Sequence, residues 1–312
     1  MRALVTGGAG FIGSHVVDRL VAGGHDVVVV DNFSTGKREN LSDAQTTGKL
    51  RIVDCDIVDQ SARDVIANAK PEVIFHLAAQ ASVKVSVDKP IVDAMTNVIG
   101  TLNVLEGARI SGARKIVYAA SGGSMFGDVD TSLLPAREDL PRRPLSPYGV
   151  SKAAAIDYFV AYAHLYGVSF TALGLANIYG PRQDPHGEAG VVSIFCDQNS
   201  KNEPCTIYGD GEQTRDFVYV GDVADAFMLA SSDAATNLIC NISTGIETSV
   251  NVLCKEMGTV SGNALEPIYA EARPGDVRRS SLDPSRAETE LGWKAEVPLA
   301  QGLQKTWLWF AG

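Results

Sequence analysis

The chain has 312 residues, 45% of them hydrophobic and 21% charged, with a net charge of −10. Such a length holds one large or two smaller domains of ordinary globular composition. The acidic balance excludes a sequence-independent nucleic-acid surface, which needs a basic stripe, and the absence of any apolar run near 18 residues excludes a membrane span.

The N-terminus runs directly into a fold motif, so no signal peptide is expected. Arg2–Thr6 is a short apolar strand that meets glycines spaced G-x-x-G-x-x-G at Gly7, Gly10 and Gly13, followed by a helix-like run over 15–21. Glycines between a strand and a helix permit a tight turn and a close approach to a pyrophosphate, which then sits at the helix N-terminus. A second buried strand over 27–30 ends in Asp31-Asn32. A carboxylate about 20 residues past the glycines suits the ribose hydroxyls of NAD and repels the extra phosphate of NADP. Leu50–Asp54 is strand-like and precedes Asp56-Ile57; the next strand, 73–77, precedes Ala78-Ala79-Gln80, with His76 read as a strand-end packing residue. A helix is predicted over 90–108 with Asn97 inside it, then a strand over 115–119. Strands alternating with helices predict an α/β fold, a doubly wound parallel sheet covered on both faces. Ligands of such sheets bind past the carboxyl ends of the strands. Gly7, Asp31, Asp56, Ala78 and Ser121 all fall there.

Further on stands Ser146-Pro147-Tyr148-Gly149-Val150-Ser151-Lys152. Ser146 is a good N-cap, and Pro147 suits the first helical position. The i, i+4 spacing puts Tyr148 and Lys152 on one helix face. A tyrosine hydroxyl titrates near about 10; a neighbouring cation favours the phenolate and makes the pair a plausible general base and acid for a hydroxyl proton. Beyond the strand Ser169–Leu175, Asn177 lies in Ala176-Asn177-Ile178-Tyr179-Gly180-Pro181-Arg182. Arg215 and Arg273 are two guanidinium groups that could fork onto a diphosphate, and Ile207-Tyr208 offers an apolar and aromatic wall. The cysteines Cys55, Cys196, Cys205, Cys240 and Cys254, odd in number and without a C-x-x-C pair, read as reduced thiols of a cytoplasmic chain. The five histidines show no metal-ligand spacing, so no metal is expected.

The opening TGGAGFIG, Asp31-Asn32, Asp56-Ile57, His76-Leu77-Ala78-Ala79, Asn97 and Tyr148-x-x-x-Lys152 resemble the extended short-chain dehydrogenase/reductase superfamily. With Asn177 to Arg182, Thr214-Arg215-Asp216, Arg273-Pro274-Gly275-Asp276 and Glu290-Leu291-Gly292-Trp293, the whole chain looks like its nucleoside-diphosphosugar branch, and most like the bacterial UDP-glucose 4-epimerases. The resemblance implies a Rossmann domain over 1–175, with about 217–242 crossing back to it, and a smaller α/β substrate domain over 176–312. It implies NAD held by Gly7, Gly10, Phe11, Ile12, Gly13, Asp31, Asn32, Ser34, Thr35, Gly36, Asp56, Ile57, Leu77, Ala78, Ala79, Gln80, Asn97, Tyr148 and Lys152. Asp56 and Ile57 would sit by the adenine, and Lys152 would hold the nicotinamide ribose. A UDP-sugar substrate would meet Ser121, Ser124, Tyr148, Asn177, Val191, Val192, Ile207, Tyr208, Arg215, Arg273 and Asp276, with Asn177 on the diphosphate, Ile207-Tyr208 along the uracil, and Asp276 on a ribose or orienting Arg273.

The activity so implied is inversion of the C4 hydroxyl: Tyr148 takes the hydroxyl proton, the C4 hydride passes to NAD and returns to the other face of a 4-keto sugar. The usual family loop, S-S-x-x-x-Y-G, reads here Ala120-Ser121-Gly122-Gly123-Ser124-Met125-Phe126-Gly127. Gly122 takes the usual Ser/Thr position, so Ser121, Ser124 or a water must supply the hydroxyl. Related 4,6-dehydratases place Asp-Glu after their threonine, which Gly122-Gly123 cannot replace. Uronate-specific relatives tend to carry an arginine where this chain has Asp184, and a small Ser280 lies where a bulky residue restricts the sugar. The alternatives are a 4-epimerase of UDP-N-acetylhexosamine or another nucleotide sugar, and a non-catalytic NAD sensor on the same fold. The resemblance also implies a homodimer built through the apolar faces of 91–108 and 148–166.

Overall fold

The computed structural model describes residues 1–186, 190–263, 266–272 and 277–312. Apolar runs bounded by turn residues make strands buried on both faces, and amphipathic runs between them make the covering helices. In chain order these are β1 (Arg2–Thr6), α1 (Phe11–Ala22), β2 (Asp26–Asp31), α2 (Ser42–Gln45), β3 (Leu50–Asp54), α3 (Ser61–Ala69) and β4 (Val73–His76). There follow α4 (Val83–Asp88), α5 (Pro90–Ala94), α6 (Gly100–Ser111), β5 (Lys115–Ser121), α7 (Gly122–Phe126), α8 (Pro147–Tyr166) and β6 (Ser169–Leu175). Then come β7 (Asn177–Tyr179), α9 (Val191–Ser200), β8 (Thr206–Tyr208), β9 (Thr214–Arg215), β10 (Phe217–Tyr219) and α10 (Val220–Ala230). The last elements are β11 (Leu238–Ile242), β12 (Thr248–Ser249), α11 (Val250–Ser261), β13 (Ile268–Ala270) and α12 (Leu299–Ala311).

Seven strands form one sheet in the order β11-β6-β5-β4-β1-β2-β3, with parallel pairing throughout. The order reverses between β1 and β4, which opens a crevice above their carboxyl ends. Strand alternation builds the two layers. Leu4, Ile74 and Ile116 pack against Ile66 of α3, Val104 of α6 and Phe159 of α8. Val5, Phe75 and Val117 pack against Val16 and Leu20 of α1 and Phe227 of α10. Both α10 and β11 thus return from the second half of the chain, one onto α1 and the other onto the edge of β6. The remainder is a smaller unit of two-stranded sheets, β7-β10, β9-β12 and β8-β13, with α9, α11 and α12 around Phe195, Phe217, Leu253, Met257 and Leu303. No helix among the described residues is long and apolar enough to cross a membrane. The five thiols are unpaired.

Three elements differ from the sequence reading. Helix α1 starts at Phe11 rather than 15, with Gly13 inside its first turn. The helix read over 90–108 is interrupted by a π turn, Met95–Ile99, between α5 and α6. The segment after Ser121 forms the short helix α7 rather than a loop.

Candidate active site

The glycine turn is dictated by crowding. Gly7 adopts φ +70°, and a Cβ on it would lie 2.6 Å from the Ala78 nitrogen; a Cβ on Gly13 would lie 2.1 Å from the Gly7 carbonyl oxygen. Only bare backbone lets β1, α1 and the chain after β4 meet this closely. The N-cap of α1 is Gly10, with no side-chain cap, so the first-turn N–H groups of Phe11, Ile12 and Gly13 remain available to an anion. These features fit a dinucleotide pyrophosphate.

At the end of β2, Asp31 accepts from the Ala9 and Phe33 backbone N–H groups, each at 2.9 Å. Burial pushes its carboxyl upward, and the two N–H groups oppose that shift. Asn32 Nδ2 donates to Asp56 Oδ2 at 2.9 Å, joining the ends of β2 and β3. Ser34, Thr35 and Gly36 follow on the rim, where Asn32 Oδ1 accepts from the Ser34 N–H. Ile57 follows Asp56 at the same strand end. It is buried against Gly100 of α6, and its carbonyl accepts from Asn103 Nδ2 at 2.8 Å.

The end of β4 is held by a buried network. Thr101 Oγ1 donates to the Asn97 carbonyl at 2.6 Å and lies 3.0 Å from His76 Nε2, which therefore carries the imidazole proton; His76 Nδ1 lies 2.7 Å from Thr6 Oγ1. Burial, and then Lys152, push His76 down to about 3, so the ring is neutral. Thr6 Oγ1 accepts from the Ala78 N–H at 3.2 Å. Leu77, Ala78, Ala79 and Gln80 then form a half-buried wall. Asn97 is only 2% exposed, and its amide is engaged by Gln80, Asp93 and Ser151, so it positions this wall.

Opposite stands α8. Ser146 Oγ accepts from the Gly149 N–H at 3.2 Å, and Pro147 occupies the first turn. Tyr148 is half-buried. Gly149 lets α8 lie against α7, since a Cβ there would be 2.3 Å from the Ser124 carbonyl oxygen. Lys152 is 3% exposed; its Nζ donates to the Ala119 carbonyl at 2.9 Å and sits 5.9 Å from the Tyr148 ring centroid and 4.9 Å from that of Tyr118. Burial lowers Lys152 to about 8, opposed by Asp93, so it remains an ammonium at neutral pH. Ser121, which closes β5, and Ser124, on α7, are both half-buried. A Cβ on Gly122 would fall 2.2 Å from Leu282 Cδ1, and one on Gly123 would fall 3.3 Å from Ser280 Oγ. The segment 280–282 therefore closes over α7 from the far half of the chain.

On that half, Asn177 is exposed on β7, with its N–H bonded to the Asp216 carbonyl beside Arg215. Arg215 Nη1 donates to the Thr214 and Val277 carbonyls at 2.7 and 2.8 Å. Val191 opens α9, whereas Val192 is buried in the core of the smaller unit. Ile207 and Tyr208 alternate along β8: Ile207 is 1% exposed and packs inward, so Tyr208, 39% exposed, presents the only side-chain wall of the two. Arg273 and Asp276 lie outside the described residues. Asp184 pairs with Lys37 at 3.3 Å, Arg182 with Asp18 at 2.7 Å, and the Pro181 carbonyl lies 3.0 Å from His15 Nε2. These contacts tie the chain after β7 to α1 and to the loop after β2. Asp93 and Ser151 were missed in the sequence, where each reads as an ordinary surface helix residue.

A doubly wound sheet with a glycine turn at its switch point and a helix-borne Tyr–Lys pair beside the end of β5 is the architecture of a dinucleotide-dependent short-chain dehydrogenase/reductase. Residues 4–306 match the family described as GDP-mannose 4,6-dehydratase, and the chain belongs to that family. It is 48% identical over 306 residues to a UDP-glucose 4-epimerase of Mycolicibacterium smegmatis, covering 98% of this chain and 97% of that one. Among solved structures, a Thermotoga maritima UDP-glucose 4-epimerase with UDP-glucose is 44% identical with a TM-score of 0.95, covering 99% of this chain and 98% of that one. A Thermus thermophilus UDP-glucose 4-epimerase complex with NAD is 42% identical with a TM-score of 0.93, covering 100% and 99%.

Proposed function

We propose that the chain inverts the C4 hydroxyl of a UDP-hexose, interconverting UDP-glucose and UDP-galactose, with NAD held at the glycine turn. The observation that carries this is the Tyr148–Lys152 pair: a half-buried phenol on the first turn of α8 beside a buried ammonium fixed to the end of β5. NAD, when bound, supplies the transient hydride acceptor. Tyr148 takes the C4 hydroxyl proton and later returns it, and Lys152 favours its phenolate form. Ser121 or Ser124 supplies the hydroxyl that bridges Tyr148 and the sugar. Phe11, Ile12 and Gly13 take the cofactor's pyrophosphate, Asp31 its ribose, Asn32 and Asp56 its adenine end, and Ala78 and Ala79 flank it. Asn177, Arg215, Arg273 and the first turn of α9 at Val191 and Val192 take the substrate diphosphate, Tyr208 the uracil, and Asp276 a ribose or Arg273. The loop Gly122-Gly123 bears no acid–base side chain, which disfavours elimination in spite of the family's description.

Exposed Ile91, Met95 and Ile99 on one stretch, and Val150 and Tyr158 on α8, form the apolar faces through which a homodimer would assemble, with Ile91 77% exposed. Unpaired thiols accord with the cytoplasm. A second reading, a 4-epimerase of UDP-N-acetylhexosamine, draws on Ser280 beside Gly123, two small residues where the sugar would lie. An assay of UDP-galactose conversion to UDP-glucose, with UDP-N-acetylgalactosamine in parallel, tests both. Turnover of the first supports the leading reading, turnover of the second alone supports the other, and silence on both with NAD bound overturns both.

A further inference from the structure

Between α5 and α8 lies a buried carboxylate. Asp93 is 1% exposed, and a buried charge needs partners. Its Oδ1 accepts from Gln80 Nε2 at 2.9 Å and from Asn97 Nδ2 at 3.0 Å. Asn97 Nδ2 also donates to the Gln80 carbonyl at 2.9 Å and shares a hydrogen with Ser151 Oγ at 3.2 Å, and Ser151 Oγ donates to the Tyr148 carbonyl at 3.0 Å. A continuous chain of hydrogen bonds thus runs from Asp93 to the backbone of the turn that carries Tyr148. Asn97, which joins the two ends, lies four residues after Asp93 and inside the π turn Met95–Ile99.

Charge follows the same path. Among the described residues, the titratable groups around Lys152 are Tyr148 on its own helix, Tyr118 on β5, His76 on β4 and Asp93 on α5. His76 and Tyr118 are held neutral by burial, His76 far below and Tyr118 well above its ordinary value. Asp93 is then the one carboxylate of the set, while the direct bond of Lys152 goes to a neutral carbonyl. We propose that Asp93 is a positioning residue of this centre: through Asn97 and Ser151 it sets the turn bearing Tyr148, and its buried carboxylate is the counter-charge to Lys152. This rests on the roles given above to Tyr148 and Lys152.

The test is the titration of Lys152 followed by carbon-13 NMR of ε-labelled lysine in protein loaded with NADH, whose nicotinamide is uncharged; Lys152→Arg assigns the signal. Asp93→Asn keeps an acceptor for Gln80 and Asn97 and removes the charge. The Lys152 midpoint should fall by about one pH unit or more, and the alkaline limb of the pH–rate profile should move with it. Asp93→Glu, which keeps the charge, should hold both within about half a unit. An unmoved midpoint in Asp93→Asn, or an equal movement in Asp93→Glu, overturns the proposal. If Asp93→Asn does not fold, the wild type decides: Lys152 must be more than half protonated at about pH 7, and a lower midpoint overturns the proposal. The NMR readout needs no sugar. A shifted Lys152 in a chain that turns over no UDP-hexose would therefore overturn the function and leave Asp93 in its place.

Discussion

Leu282 fills the space that a side chain on Gly122 would otherwise take. Its Cδ1 lies 2.2 Å from the Cβ that Gly122 lacks, so the glycine and the leucine are one packing decision. Gly122→Ala should therefore destabilise by about 1–3 kcal/mol in urea unfolding, as overpacking does. In a Leu282→Ala background the same change should cost little, and equal costs in both backgrounds would show that the two positions are uncoupled. Tyr148→Phe should lower kcat by about 100-fold or more while most NAD stays bound, because the proposed general base is lost and the rest of the proposed cofactor cradle is kept. Turnover at the wild-type rate would remove Tyr148 from the mechanism. The glycine in place of a hydroxyl residue is visible in the bare sequence. The leucine that explains it is not, since 160 residues separate the two and no local pattern connects them.

At the scale of elements, β5 carries a second buried lysine. Lys115 donates from Nζ to the Ser232 and Ala235 carbonyls, each at 2.6 Å, and so fastens the strand to the chain just past α10. Burial lowers it to about 8. An unfolded lysine titrates near about 10.4, so between roughly pH 8 and 10 the unfolded chain binds the extra proton. The contribution of this residue to stability consequently rises with pH across that window, as the buried ammonium becomes an amine that still has two hydrogens for two carbonyls. Lys115→Met should be increasingly destabilised relative to wild type from about pH 7.5 to 9.5, read by parallel urea melts; a constant or shrinking gap would contradict this. The strands themselves were legible, because continuous apolar runs such as 27–30 and 73–76 have few other uses. The start of α1 was not, because Gly13 scores against a helix until one sees Gly7 lying against it. Nor was the π turn, since one extra residue in a turn leaves the apolar period nearly intact. Ile207 and Tyr208 could be found together but not told apart until β8 was given a buried face.

For the whole molecule, assembly is the open quantity with a clear handle. Ile91→Glu combined with Val150→Glu places charge on both apolar faces at exposed positions. Sedimentation should show the wild type as a dimer and the double variant as a folded monomer, with the loss amounting to several kcal/mol of association. A wild-type monomer at micromolar concentration would end the dimer proposal. The interleaving of the two halves has a further consequence for how the chain is made. Strand β6 is finished at Leu175, but the strand that covers its edge, β11, begins only at Leu238, and the helix that covers α1 begins at Val220. While a ribosome is extending the intervening stretch, the nascent Rossmann half must wait with the outer edge of β6 open and the face of α1 bare, the condition in which chains aggregate or recruit chaperones. A boundary near 175, as expected from the sequence, therefore does not divide the polypeptide into pieces that could be synthesised apart.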